Sequence, residues 1–250
     1  MLLACLIGLL AQPAPGGADP GRAVRESLEK TAAAGYAFAV RGRYDRLGEF
    51  TPRGLLTSRI RQYQSVRRGD TVLVKGPEGL WKTPGERLGE ETEKTDPEAP
   101  AIVRVLQEAT PPHEMVGDLL ARAERVQGPE DREIDGVLCR RYLATLPAGV
   151  LKDRIERQLS REIRGGRLRP PDEILWGTAR GAVRIYADRR DGRLIRVVDE
   201  SSVRILYRVP DRPPETKPFK VEMEFEFSPL DPARLSVPGE VLERLGLRED

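Results

Sequence analysis

The sequence predicts an α+β fold: a strongly curved antiparallel sheet, an incomplete β-barrel, with helices covering its concave face. Three observations predict it. From Phe219 to Phe227 the apolar residues alternate without error with Lys220, Glu222, Glu224 and Glu226, the period of a strand with one wet and one covered face. Arg190-Asp191-Gly192 links two apolar runs, Ala182 to Asp188 and Leu194 to Val198, as a tight hairpin. Helical patterns are few and are inserted between strands instead of alternating with them, which argues against a parallel sheet wrapped on both faces.

The elements follow in chain order. Met1 to Ala11 (MLLACLIGLLA) is an apolar run of signal-peptide length, and small residues follow up to Ala18. The expectation is a signal peptide over 1–18 and a single domain over 19–250. A buried N-terminal segment is the other reading. Leu3-Ala4-Cys5 matches the end of a bacterial lipobox, but the apolar run continues past Cys5, which disfavours its acylation. Ala23 to Ala34 reads as a short amphipathic helix ended by Gly35, and Tyr36, Phe38 and Val40 alternate as a half-buried strand. Ser58 to Arg67 and Thr71 to Lys75 flank the turn at Arg68-Gly69-Asp70, and a second turn at Gly76-Pro77-Glu78-Gly79 leads into Leu80-Trp81-Lys82.

Thr83 to Pro100 is polar and bounded by proline, an expected exposed loop. Helices are expected over Ala101 to Ala109 and from Pro112, the latter with Met115, Leu119, Leu120, Ala123 and Val126 on one face. A strand over Val137 to Leu146 follows the turn at Asp135-Gly136. Leu151 to Ile163 is a surface-lying helix with one stripe at Leu151, Ile155, Leu159 and Ile163. Val203, Ile205, Tyr207 and Val209 alternate as a further strand, giving at least seven strands and three or four helices.

Composition narrows the chemistry. The 250 residues are 39% apolar and 33% charged, and 42 basic against 40 acidic side chains leave a net charge of +2. A nucleic-acid binder usually carries a marked basic excess, so no nucleic-acid partner is expected. No apolar run reaches the roughly 18 residues of a membrane-spanning helix. With one histidine, His113, and two cysteines, Cys5 and Cys139, a two-histidine metal site and a structural zinc site are excluded, and little remains for nucleophile–histidine catalysis. His113 reads as a surface residue at a helix start and Cys139 as a buried inert thiol in a strand. A hydrolase with a carboxylate pair is a third reading, although the glutamates of 219–227 read as a solvated face. The expectation is a protein that is not an enzyme and uses no cofactor or metal.

Three stretches carry a family resemblance. Thr71 to Lys82 (TVLVKGPEGLWK) resembles a strand, turn and aromatic strand of the LolA-like superfamily. Ile134 to Tyr142 (IDGVLCRRY) resembles a strand of its mycobacterial lipoprotein branch, and Tyr186 to Val198 its late hairpin. The likeness in element order covers about residues 23 to 240. It implies an exported bacterial protein, periplasmic or otherwise, that binds a lipid or the acyl chain of a lipoprotein in a hydrophobic cavity between sheet and helices, with transient membrane contact. It also implies an arginine near the start of the sheet that locks a lid, in the region of Arg41 and Arg43.

A 16-carbon chain offers of the order of 10 kcal/mol on burial before ordering costs, and such a site needs no catalytic residue. The apolar sheet face supplies the candidate lining: Phe38, Val40, Ile185, Ile205, Tyr207, Met223 and Phe225. The same residues suit an ordinary closed core equally well. Trp81 and Trp176 fit either a cavity or a core, and the loop Thr83 to Pro100 offers a gate. The alternative function is an exported sensor or interaction module that recognises a protein partner on the same fold. The oligomeric state is not legible.

Overall fold

In a computed structural model of the chain, the described residues are 19–42, 44–91, 97–208, 212–230 and 237–247. The expected signal peptide with Cys5, as well as Arg43 and Val209, lies outside them. Asp19 caps the first helix, α1 (Pro20–Ala34), by accepting the Gly21 amide at 2.9 Å, and Pro20 occupies a first-turn position that needs no donor. The helix buries Val24, Leu28 and Thr31. Five strands and a short sixth follow: β1 (Tyr36–Arg41), β2 (Arg46–Phe50), β3 (Leu55–Ile60), β4 (Tyr63–Arg68), β5 (Thr71–Lys75) and β6 (Trp81–Lys82). Three helices come next, α2 (Pro84–Glu91), α3 (Ala99–Gln107) and α4 (Pro112–Ala121). The second half runs β7 (Arg125–Ile134), β8 (Val137–Thr145), α5 (Ala148–Arg164), β9 (Glu173–Asp188), β10 (Leu194–Tyr207), β11 (Glu215–Pro229) and α6 (Gly239–Arg244).

All eleven strands form one antiparallel sheet in the order β6-β5-β4-β3-β2-β1-β11-β10-β9-β8-β7. Two meanders, one from each half of the chain, are sewn together by β1 and β11, where Phe38 faces Phe227 and Val40 faces Phe225. The outer strands β6 and β7 do not pair, so the sheet is not closed.

Residues directly opposite in an antiparallel pair share a face, so the register sorts the whole sheet. One face carries Tyr36, Phe38, Val40, Phe225, Val197, Ile185 and Tyr142 in a cluster with Val24 and Leu28 of α1 and Val116 of α4. Two smaller clusters continue it. Ile60, Tyr63 and Val74 meet Ile102, Val103 and Leu106 of α3, and Val203, Ile205 and Phe219 meet Ile155 and Leu159 of α5. Two glycines permit the closest approaches. A side chain at Gly181 would collide with Leu151 of α5, and one at Gly48 with the Phe38 ring and the Thr57 carbonyl. Among the described helices, only α6 packs on the opposite face, on Leu55, Val66 and Leu73.

Several expectations are corrected. Ser58 to Arg67 is not one strand: Arg61 enters the left-handed region (φ 53) and the chain folds back, so Ile60 and Tyr63 face each other. The expected loop from Thr83 holds α2, because Thr83 and Glu86 form a capping box. The Thr83 amide donates to Glu86 Oε2 at 2.8 Å and the Glu86 amide to Thr83 Oγ1 at 3.4 Å. The helix is held by Arg87, which is fully buried and bonded to Glu78 and to the Leu80 carbonyl at 2.6 Å.

The helix from Pro112 stops at Ala121, and Val126 belongs to β7. That strand escapes sequence reading because it is an edge with both sides polar, which also discourages pairing with another chain. Strand β10 is continuous where the sequence suggested two pieces. Asp199 and Ser201 interrupt the apolar alternation on the covered face, and Asp199 is ion-paired there with Arg154 of α5. Burial pushes the Asp199 carboxyl up, against the pull of that guanidinium.

Candidate functional site

A large cavity lies on the sheet face opposite α1, α3, α4 and α5. It is an open groove of about 940 Å³. The register gives its floor. One row across the strands runs Gln64, Arg59, Leu47, Ala39, Glu226 and Arg196, and the next runs Val66, Thr57, Glu49, Ala37 and Ser228. At the centre stand the two smallest side chains, Ala37 and Ala39, on a strand whose other face carries Tyr36, Phe38 and Val40. Bulk on one side and alanine on the other make β1 a wall for the core and a trough for the outside. Trp81 of β6 and Val237 close one side, and Ile134 and Asp135 from the β7–β8 turn close the other. From β4 to β10 the rows cross five strand spacings, about 24 Å along the sheet.

The charges of the trough are mostly committed. Arg196 pairs with Glu224 and, at 3.3 Å, with Glu226, which also takes Arg41 at 3.1 Å. Glu49 is buried and engaged. The guanidinium of Arg59, exposed on β3, makes no ion pair or hydrogen bond with another described residue. Leu47 is 46% exposed, an uncovered apolar side chain in the floor.

The seven residues expected to line a lipid cavity all stand on the helix-bearing face. Phe38, Val40, Ile185 and Phe225 are packed in the main cluster and Met223 lies half-buried against it, whereas Ile205 and Tyr207 belong to the cluster under α5. Six of the seven are at most 7% exposed. The structure therefore brings them together as two groups within a filled layer, and only Phe38 also borders the groove. Trp81 lines the groove, and Trp176 packs in the α5 cluster.

Polar contacts between sheet and helices come from residues the sequence did not single out. Arg46, 6% exposed, reaches from β2 to the Thr110 carbonyl at 3.0 Å while its guanidinium lies 5.2 Å from the Phe38 ring centre. Burial pushes its pKa down to about 10. Arg41, one of the two candidates for a lid contact, faces the groove side instead, between Glu224 and Glu226. Nothing in the sequence distinguishes Arg46 among 35 arginines.

His113 is half-buried, not a surface residue. The Tyr36 hydroxyl and His113 Nδ1 are hydrogen-bonded at 2.6 Å, and the Phe50 ring centre lies 4.7 Å from that of the imidazole. Burial holds the imidazole below its usual pKa and pushes the Tyr36 phenol up. The unfolded chain then binds the extra proton first, so stability is lost as pH falls from about 6.5 toward the lower folded value. The urea midpoint is expected to drop between pH 7.5 and 5, with a smaller drop for His113→Gln. An identical pH slope in that variant would remove His113 from the account.

Cys139 is buried, its thiol donates to the Arg132 carbonyl at 3.4 Å, and burial pushes its pKa up, the opposite of an activated nucleophile. Among the described residues no group of three or more His, Cys, Asp or Glu could hold a metal ion, and no helix is long and apolar enough to cross a membrane.

No family model matches the sequence, and no curated protein matches it. Among solved structures the chain is similar to the lipoprotein LppX of Mycobacterium tuberculosis, at 13% identity and a TM-score of 0.39, over 83% of this chain and 92% of that one. It is also similar to LprF from Mycobacterium bovis, at 11% identity and a TM-score of 0.40, over 84% and 91% of the two chains.

Proposed function

We propose that this protein is an exported, non-enzymatic carrier that holds the acyl chain of a lipid or lipoprotein, and that the chain lies in the groove on the open face of the sheet. One observation carries the reading: a trough of about 940 Å³ with alanines at its centre and Leu47, Val66, Trp81 and Val237 along it. That volume is in the range of small-ligand sites, which are commonly 300–1,000 Å³. One leaflet's worth of acyl chain is half of a bilayer core, about 15 Å, and fits within the span of the rows with room for a head group. Apolar and charged walls side by side suit an amphiphile better than a wholly apolar molecule. The residues on the covered face act as its support, with Phe38 behind the floor.

The test is saturable binding of cis-parinaric acid, a fluorescent fatty acid, to delipidated protein, with displacement by lysophospholipid or lipopeptide. Absence of saturable binding would remove the carrier reading and leave recognition of a protein partner ahead of it. Export is the second half of the proposal, motivated by the apolar leader in 1–18. Made in a bacterium from its own start, the protein is expected outside the cytoplasm with an intact mass beginning near Asp19. A cytoplasmic product that retains Met1 would end that half.

A further inference from the structure

We infer that Arg59 selects the head group, and that the ligand is a single-chain amphiphile ending in a carboxylate. This rests on the groove being the binding site. Arg59 projects from β3 into the groove floor, opposite Leu47 on β2 and Gln64 on β4. It is the one lining cation whose charge no described carboxylate answers, since Arg196 is held by Glu224 and Glu226. A guanidinium fork pairs both oxygens of a carboxylate at once, and Gln64 adds an amide donor beside it.

Charge counting favours a carboxylate over a phosphate monoester. A phosphate carries about −1.5 to −2 at neutral pH and calls for a second cation, which the described lining does not offer. Direction follows as well. The lining carboxylate without a described partner is Asp135, at the far wall beyond β10, where it disfavours an anionic head. The head then sits at the Arg59 end and the chain runs over Leu47 and Ala39 toward Ile195, a groove-lining residue of β10.

Four ligands of one chain length separate this inference from the reading beneath it: laurate, dodecanol, dodecyltrimethylammonium and dodecyl phosphate, each below its solubility or micelle limit, competing with the fluorescent probe at pH 8. Laurate is expected to bind roughly fivefold or more tighter than dodecanol, and the cation weakest. In Arg59→Gln the laurate advantage should vanish while dodecanol binds as before, and Arg59→Lys should restore part of it. Dodecyl phosphate should bind no tighter than laurate. Equal affinities for laurate and dodecanol in the unmodified protein, or a laurate preference that survives Arg59→Gln, overturn the inference and leave the groove standing. Tighter dodecyl phosphate overturns the carboxylate assignment. Failure of all the ligands to displace or bind removes the groove reading together with it.

Discussion

Phe225→Asp is expected to leave the protein without a cooperative unfolding transition. Phe225 is fully buried on β11, between Val40 of β1 and Val197 of β10, where the two meanders join. Removing a buried phenyl ring costs about 3–5 kcal/mol through lost burial and the cavity left behind. A carboxylate in its place adds an unpaired charge in an apolar layer, worth several kcal/mol more even if it is protonated. The sum rivals the 5–15 kcal/mol that holds an ordinary domain together.

The control is its near neighbour Glu222, half exposed on the other face of the strand, where Glu222→Gln should stay within about 0.5 kcal/mol. Glu224→Lys is not a neutral control, although the alternation alone suggests one. Glu224 sits between Arg41 and Arg196, and a lysine there would gather three cations. Urea unfolding monitored by circular dichroism decides the matter, and comparable midpoints for Phe225→Asp and Glu222→Gln would show the two faces to be misassigned.

That strand marks how far the sequence is legible. From Phe219 to Phe227 every second residue is apolar because one face is covered from end to end, so the pattern needs no tertiary context. Strand β2, Arg-Leu-Gly-Glu-Phe, has no such pattern. Gly48 occupies the position where the Phe38 ring lies across the backbone, and Arg46 fills a core position with a guanidinium. The edge strand β7 reaches the core only through Val126 at its start, and the rest of it carries no alternation.

The groove was half written. Ala37 and Ala39 are visible in the alternation of β1 as its small positions, but smallness becomes space only when β2 and β11 flank them, and β11 lies some 190 residues away in the chain. Walls that come from Trp81, Val237 and Asp135 are brought together by the sheet order, which no local pattern encodes.

Ala39→Trp is expected to abolish ligand binding while the fold survives, and Val40→Trp to do the reverse. The two residues are consecutive on β1 and point to opposite faces. At position 39 an indole would stand in the centre of the trough, over Leu47 and Glu226, where the space is open and a large aromatic suits a strand. It occupies the volume the acyl chain needs, and a tenfold or greater loss of probe affinity corresponds to about 1.4 kcal/mol or more of lost binding. At position 40 the same side chain enters the filled layer against Phe225, and Ile205→Trp does so beneath α5. Overpacking there costs about 1–3 kcal/mol of stability, with binding by the folded fraction unchanged. The crossed design distinguishes the two faces of the sheet as sites. If Val40→Trp and Ile205→Trp weaken the probe beyond their effect on folding and Ala39→Trp does not, the ligand enters between sheet and helices, and the groove is only surface relief.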